Sequence, residues 1–242
     1  MKKGFAVLLV ISLALSLAVH IAEASGYELA YIPVLDEYAD FVSTLEREGY
    51  NDYYDYMDIT CDMDEPWTFF LESDYVSDLR NNLGYALADV NGDGVPELFL
   101  LSRQDTPSGD YLVHAIYTLA DARPNLLAYF WSRYRCSVCV DGRLYIEGSS
   151  GAEDSTNEIC QITQDGKRLV VIETIGIESY DANSFESLDE PRYYKIDQNG
   201  VKTILTEEEA EVAYQNMQNA CSSRYSMPFV SIGSYMQSQD AY

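Results

Sequence analysis

Residues Tyr85–Leu101 read YALADVNGDGVPELFLL. Two apolar runs enclose a loop in which Asp89, Asn91 and Asp93 occupy positions 1, 3 and 5, Gly94 position 6, Val95 position 7 and Glu97 position 9. Alternate side chains of a tight loop point inward, so this spacing converges three oxygens on one point. Val95 adds its carbonyl and Glu97 a carboxylate. Gly94 permits the sharp turn that keeps the backbone clear. Calcium takes six to eight oxygens from a flexible shell, whereas magnesium keeps several waters in a strict octahedron, so calcium is the expected cofactor. Chance supplies only roughly 0.002 matches to this pattern in a chain of this composition.

The loop departs from an EF-hand. Position 12 of that motif is a bidentate Glu, and here it is Leu100. The exit, Leu98-Phe99-Leu100-Leu101, is short and continuously apolar, as in a buried strand. Pro96 has no N–H to lend to a paired loop and pushes Val95 toward extended geometry. The reading is strand, calcium loop, strand.

DVNGDGVPEL resembles the calcium loops of FG-GAP and VCBS-type repeats, which link two strands of a β-propeller blade. It is also similar to loops in uncharacterised secreted proteins of Gram-positive bacteria, where one ALxDxNGDGxPEL segment precedes a strand-rich region. The resemblance implies Asp89, Asn91, Asp93, Val95 and Glu97 as calcium ligands. Propellers carry several copies of the loop and this chain carries one. The second resemblance extends over residues 25–242 and implies no known activity.

Working outward, short apolar runs predict strands at Gly84–Ala88, Glu97–Ser102, Leu112–Leu119, Leu126–Trp131, Cys136–Val140, Arg143–Glu147, Glu158–Thr163, Arg168–Ile175, Arg192–Ile196 and Val201–Leu205. Asp141-Gly142, Asp165-Gly166 and Asn199-Gly200 punctuate them, and each suits a type I′ turn between antiparallel strands. Upstream, Val34, Leu35, Tyr38, Phe41, Val42 and Leu45 repeat at helical spacing, with Pro33 in the first turn and Gly49 at the end. A second helix is expected over Ser73–Asn82, and YNDYYDYMDITCDMDEP between the two reads as a helix end and solvated loop. Downstream, Thr206 and Glu209 form a capping box ahead of an Ala210, Ala213, Tyr214, Met217 stripe, and PFVSIGSY suggests an edge strand. The expected fold class is α+β: an antiparallel β-meander, open or propeller-like, with N-terminal helices and a C-terminal helix. Residues 25–83 are mainly helical, 84–205 form the meander and 206–242 a helix and tail, all in one domain.

The chain opens Met-Lys-Lys, runs apolar or weakly polar from Phe5 to Val19 and reaches Ala22-Glu23-Ala24. This describes a secretory signal peptide over residues 1–24, whose apolar run of about 15 residues is short for a membrane span, which needs about 20. The expected location is therefore secreted, extracellular or cell-surface associated. A formal charge of −25 argues against nucleic acid and anionic membrane as partners. It also keeps a secreted protein soluble. Five cysteines leave at least one unpaired, and no pairing can be assigned. Cys136-Ser-Val-Cys139 lacks the second pair a zinc site needs and the context of a redox motif, so strand cysteines, buried or disulfide-bonded, are expected.

Catalytic signals are sparse. Beyond the leader the only histidine is His114, whose alternation in YLVHAIYTL makes it a strand residue. No G-x-S-x-G elbow, phosphate-binding loop or dinucleotide fingerprint occurs, so no catalytic residue is assigned. The expected function is a secreted, non-enzymatic calcium-binding module with structural calcium, binding an extracellular protein or glycan through tyrosine-rich faces. The alternative is an extracellular hydrolase, glycan- or peptide-directed, using unidentified carboxylates.

Overall fold

The computed structural model describes residues 26–47, 78–103, 111–131, 133–149, 154–180 and 187–239. The expected signal peptide, the Tyr- and Asp-rich segment, Gly49, Cys61 and residues 73–77 lie outside them. The chain is an α+β protein built on one antiparallel sheet. Helix α1 spans 26–47 and a single turn, α2, spans Leu79–Asn82. The strands are β1 (Leu83–Ala88), β2 (Glu97–Arg103), β3 (Tyr111–Ala120), β4 (Arg123–Tyr129), β5 (Tyr134–Val138), β6 (Leu144–Ser149), β7 (Ser155–Ile162), β8 (Leu169–Tyr180), β9 (Ser187–Asp197) and β10 (Lys202–Leu205). Helix α3 (Glu207–Ala220), the two-residue β11 (Val230–Ser231) and helix α4 (Ile232–Gln239) follow.

The sheet order is β10-β9-β8-β7-β6-β5-β3-β2-β1-β11, with β4 branching from β3. It is one continuous sheet rather than separate four-stranded blades, so the meander is open and not propeller-like. The far edge of β3 is shared. Ala115–Ala120 pair with β4, and Val113 pairs with Cys136 of β5.

The sheet folds over on itself, and both halves carry their own helices. Ala86, Val90, Phe99 and Leu101 of the first half pack against Val138, Leu144, Cys160 and Ile162 of the second. On the outer face of β1–β3, α1 and α4 bury Tyr31, Leu35, Tyr38, Val42, Ile232 and Tyr235 against Leu83, Tyr85, Leu98 and Leu100. On the outer face of the second half, α3 buries Met217 against Tyr145, Ile159 and Ile175. The Cys139–Cys221 disulfide ties the end of α3 to the end of β5, while Cys136 and Cys160 are free and buried.

Four expectations are corrected. The aspartate–glycine and asparagine–glycine turns are not type I′. Only the glycine of each pair has positive φ: Gly142 at 82°, Gly166 at 67° and Gly200 at 78°. Cys139 N–H bonds Arg143 O, Thr163 N–H bonds Arg168 O and Asp197 N–H bonds Val201 O, so each connection is longer than two residues. Such connections close with a type I turn and a left-handed glycine. The two-residue turn with two positive φ values is Asp121-Ala122, at 51° and 60°, between β3 and β4.

Second, Pro33 lies inside α1 rather than at its start. The turns before it are held by Tyr31, fully buried, and by Glu28, which accepts a hydrogen bond from Tyr85 Oη. The burial of Tyr31 and the hydrogen bond to Glu28 act against the interior-proline penalty of about 3 kcal/mol. Third, PFVSIGSY is strand only at β11, which pairs with Gly84 and Tyr85; from Ile232 it is helix, with Ile232 and Tyr235 buried. Fourth, β4 begins at Arg123 rather than Leu126, because the tight turn leaves no spare loop. The capping box is present: Thr206 Oγ1 accepts from Glu209 N–H, and Thr206 N–H donates to Glu209 Oε2 at 2.8 Å.

Candidate metal loop

The loop between β1 and β2 is held by its own carboxylates. Asp89 Oδ1 accepts from Gly92 N–H (2.8 Å) and Asp93 N–H (3.2 Å), and Oδ2 accepts from Gly94 N–H (2.9 Å). Asn91 Oδ1 accepts from Asp93 N–H (3.0 Å), and Asp93 Oδ1 from Val95 N–H (2.7 Å). These local bonds wind the backbone around the alternating side chains. Gly94, at φ 88°, makes the sharp turn that the sequence assigned to it. Glu97, only 2% exposed, closes the base by accepting from Val90 N–H at 3.0 Å. Burial, reinforced by the Asp93 and Asp89 carboxylates, pushes the Glu97 carboxyl up to about 7 against the pull of the Val90 N–H.

Distant elements grip this loop. Asn91 Nδ2 donates to Asp93 Oδ2 (3.1 Å) and to Thr163 O (3.0 Å) in the β7–β8 turn. Gln164 of the same turn donates from Nε2 to Asn91 O. The β5–β6 turn presses on the other side, where a Cβ on Gly142 would lie 1.9 Å from Val90 O. From α1, Tyr31 Oη donates to Pro96 O at 2.9 Å. Behind the loop stands Thr118 of β3, 2% exposed, whose Oγ1 has no hydrogen-bond partner among the described residues. A Cβ on Gly166 would lie 3.8 Å from Asp93 Oδ2 and 4.0 Å from Thr118 Oγ1, so both oxygens border the same small space.

Asp89, Asn91, Asp93, Val95 and Glu97 thus occupy one loop, but their carboxylates face N–H donors. Among the described residues no three Asp, Glu, His or Cys side chains gather as a metal-ligating group. The donor chemistry fits a hard cation: carboxylates, an amide oxygen and a backbone carbonyl, with no nitrogen or sulfur. Each carboxylate offers about four lone-pair positions, more than its bonds here consume. The Thr118 hydroxyl, orphaned among the described residues, is a further oxygen bordering the same space as Asp93 Oδ2. Sequence reasoning missed Thr118, Thr163, Gln164 and Tyr31, which carry no local signal.

The structure also brings together a pair the sequence did not suggest. Leu100 pairs with Ala115 and Leu101 with Val113, so His114 is the extra residue of a β-bulge. Its Nε2 lies 2.7 Å from Ser102 Oγ, a nucleophile-to-base distance. Both residues are 3% exposed, and burial lowers the His114 pKa to about 3, too weak a base near neutral pH. The pair is a buried polar contact between β2 and β3.

No protein family, curated protein or solved structure matches this chain.

Proposed function

We propose that the chain is a secreted, non-enzymatic binding module stabilised by one calcium ion. Asp89, Asn91, Asp93, the Val95 carbonyl and Glu97 hold the ion, with Thr118, which borders the same space as Asp93 Oδ2, as a further candidate oxygen. The observation that carries this reading is the buried, unpartnered Thr118 hydroxyl at the border of an all-oxygen, acid-rich loop. The loop's likeness to FG-GAP-type calcium loops supports it, and the ion would draw the carboxylates inward from their N–H donors. The Cys139–Cys221 disulfide supports export, since such bonds persist in oxidising compartments.

Calcium is structural in this reading. Extracellular modules often bind with Kd of about 10⁻⁴–10⁻³ M. At ten times Kd the folded state gains about 1.4 kcal/mol. Thermal unfolding in calcium and in chelator tests the proposal. Wild type should melt higher in calcium, the Asp89, Asn91, Asp93 triple alanine variant should not respond, and Thr118→Val should respond less than wild type. Equal melting of wild type in both conditions would remove the metal from the account.

A further inference from the structure

Helix α3 covers the outer face of β6–β8 through Met217, against Tyr145, Ile159 and Ile175, and no β5 residue joins that cluster. Tyr134, Cys136 and Val138 pack in the inner core, so strand alternation sends Arg133, Arg135 and Ser137 to the outer face. Across from them in register stand Glu147, opposite Arg135, and Tyr145, opposite Ser137. The segment after Cys221 joins the same face. Arg224 pairs with Cys139 and holds its guanidinium carbon 5.5 Å from the Tyr145 ring centre. Two clefts result. One, of about 570 Å³, includes Arg135, Ser137, Glu147 and Arg224 in its lining; the other, of about 360 Å³, includes Arg133, Arg135, Glu147 and Asn157. Arg135 and Glu147 belong to both, so the two form one groove.

The lining holds three arginines against one carboxylate, in a chain with 15 basic and 40 acidic residues. The groove therefore inverts the sign of the protein locally. Asp154, next to Ser155 of the lining, is turned to Ser179, whose N–H and Oγ lie 2.7 and 3.0 Å from its Oδ1. Arg133 and Arg135 are exposed, with no side-chain hydrogen bond or ion pair among the described residues. Arg224 gives one N–H to Cys221 Sγ at 3.1 Å, which leaves its other N–H groups to donate. Asn157 Oδ1 accepts from Tyr145 Oη at 2.9 Å, so its Nδ2 is the end left to donate. The rings are already covered: Tyr145 lies under Arg224, and Tyr111 at the far side stacks on Phe229. Recognition in this groove is polar.

We infer that this groove binds a uronate residue of a short acidic oligosaccharide. The arginine forks match a planar carboxylate. Glu147 accepts from the sugar hydroxyls, and Ser137 and Asn157 add neutral hydrogen bonds. Glu147 also selects against sulfate and phosphodiester groups, which bring acceptors and no donor to it. An extended peptide docks by pairing a free strand edge. Here β5 is paired with β6 on one side and with Val113 and Tyr225 on the other. The overall negative charge opposes a long polyanion. A short ligand feels mainly the arginines, because charges beyond about 8 Å are screened at physiological salt. The inference rests on the binding-module reading and names its ligand; no residue of 89–97 lines the groove.

The test is calorimetric titration of the oxidised full-length chain with trimers of galacturonic, glucuronic or mannuronic acid, in chelator so that no calcium bridges protein and ligand. At least one trimer should bind saturably, and the neutral galactose trimer should not. Arg135→Ala should weaken binding at least about tenfold, and Arg135→Lys should recover only part of the loss, since an ammonium lacks the fork. Arg123→Ala, at an exposed arginine of β4 outside the groove, should leave binding unchanged, which separates the site from net charge. Melting curves identify variants that fail to fold, and Arg133→Ala is a second exposed variant expected to weaken binding. Folded wild type that ignores all three uronates overturns the inference. So does binding that survives Arg135→Ala, that falls equally in Arg123→Ala, or that sulfate or polyphosphate matches. Cleavage of a bound trimer would keep the groove and sink the non-enzymatic reading alone, while the melting test in calcium decides the metal separately.

Discussion

At the scale of single residues, the decisive positions are those where a side chain, or its absence, meets something distant. Gly142 combines φ 82° with a Cβ position 1.9 Å from Val90 O. Gly200 has a similar φ of 78° but open space around it. Gly142→Ala should therefore destabilise by about 3 kcal/mol or more, while Gly200→Ala should cost about 1 kcal/mol, as read by urea unfolding. Equal losses would mean that the β5–β6 turn does not press on the loop.

His114 gives a pH signature at the same scale. Its folded pKa, near 3, lies below the unfolded value of 6.5 because burial disfavours the imidazolium. Below pH 6.5 the unfolded chain takes up a proton that the native state refuses. The stability tied to a neutral His114 is thus complete above pH 6.5 and declines as pH falls toward 3. In His114→Gln, the slope of unfolding free energy between pH 6.5 and 4 should be shallower than in wild type, by at most about 1.4 kcal/mol per pH unit. Superimposable slopes would show that His114 does not titrate differently on folding.

At the scale of elements, α3 is fixed at both ends. Its start is closed by the Thr206–Glu209 box and its end by the disulfide from Cys221 to Cys139. The following segment is strapped along β5 by Val140 N–H to Ser223 O and Tyr225 N–H to Val138 O. The covalent loop spans 82 residues. Chain entropy gives such a loop about 4.5 kcal/mol. The Cys139→Ser, Cys221→Ser double variant should lose stability of that order in denaturant titration. A loss below about 1 kcal/mol would assign the docking of α3 to Met217 and the capping box rather than to the bond.

At the scale of the whole molecule, the β1–β2 loop belongs to more than one hairpin. Its sequence suggested a clamp on β1 and β2. The folded-over sheet places the β5–β6 and β7–β8 turns against it, so an ion there would link the two halves of the sheet. Amide hydrogen exchange tests this directly. Chelating calcium should speed exchange at Gly166 and Thr163, whose N–H groups bond Thr163 O and Arg168 O, as well as within 89–97. Faster exchange confined to 89–97 would reduce the ion to a local clamp.

What the sequence determined by itself was local. The antiparallel pairing of most consecutive strands followed from apolar runs and turn residues, but not that of β5, which passes over β4 to pair with β3. The capping box followed from Thr206 and Glu209, and the loop with its five candidate ligands followed from the spacing of Asp89, Asn91, Asp93, Val95 and Glu97. Each depends on neighbours within a few positions, where backbone geometry and side-chain hydrogen bonding act directly. Tertiary structure decided what depends on pairing register and curvature. It chose Cys221 for Cys139, put His114 into a bulge against Ser102, ran α1 through Pro33 to bury Tyr31, and brought Thr118 and Gln164 to the loop. It also brought Arg224 to the groove of Arg133 and Arg135. A one-residue change of register would send alternate side chains to the opposite face, and only the packed sheet fixes that register.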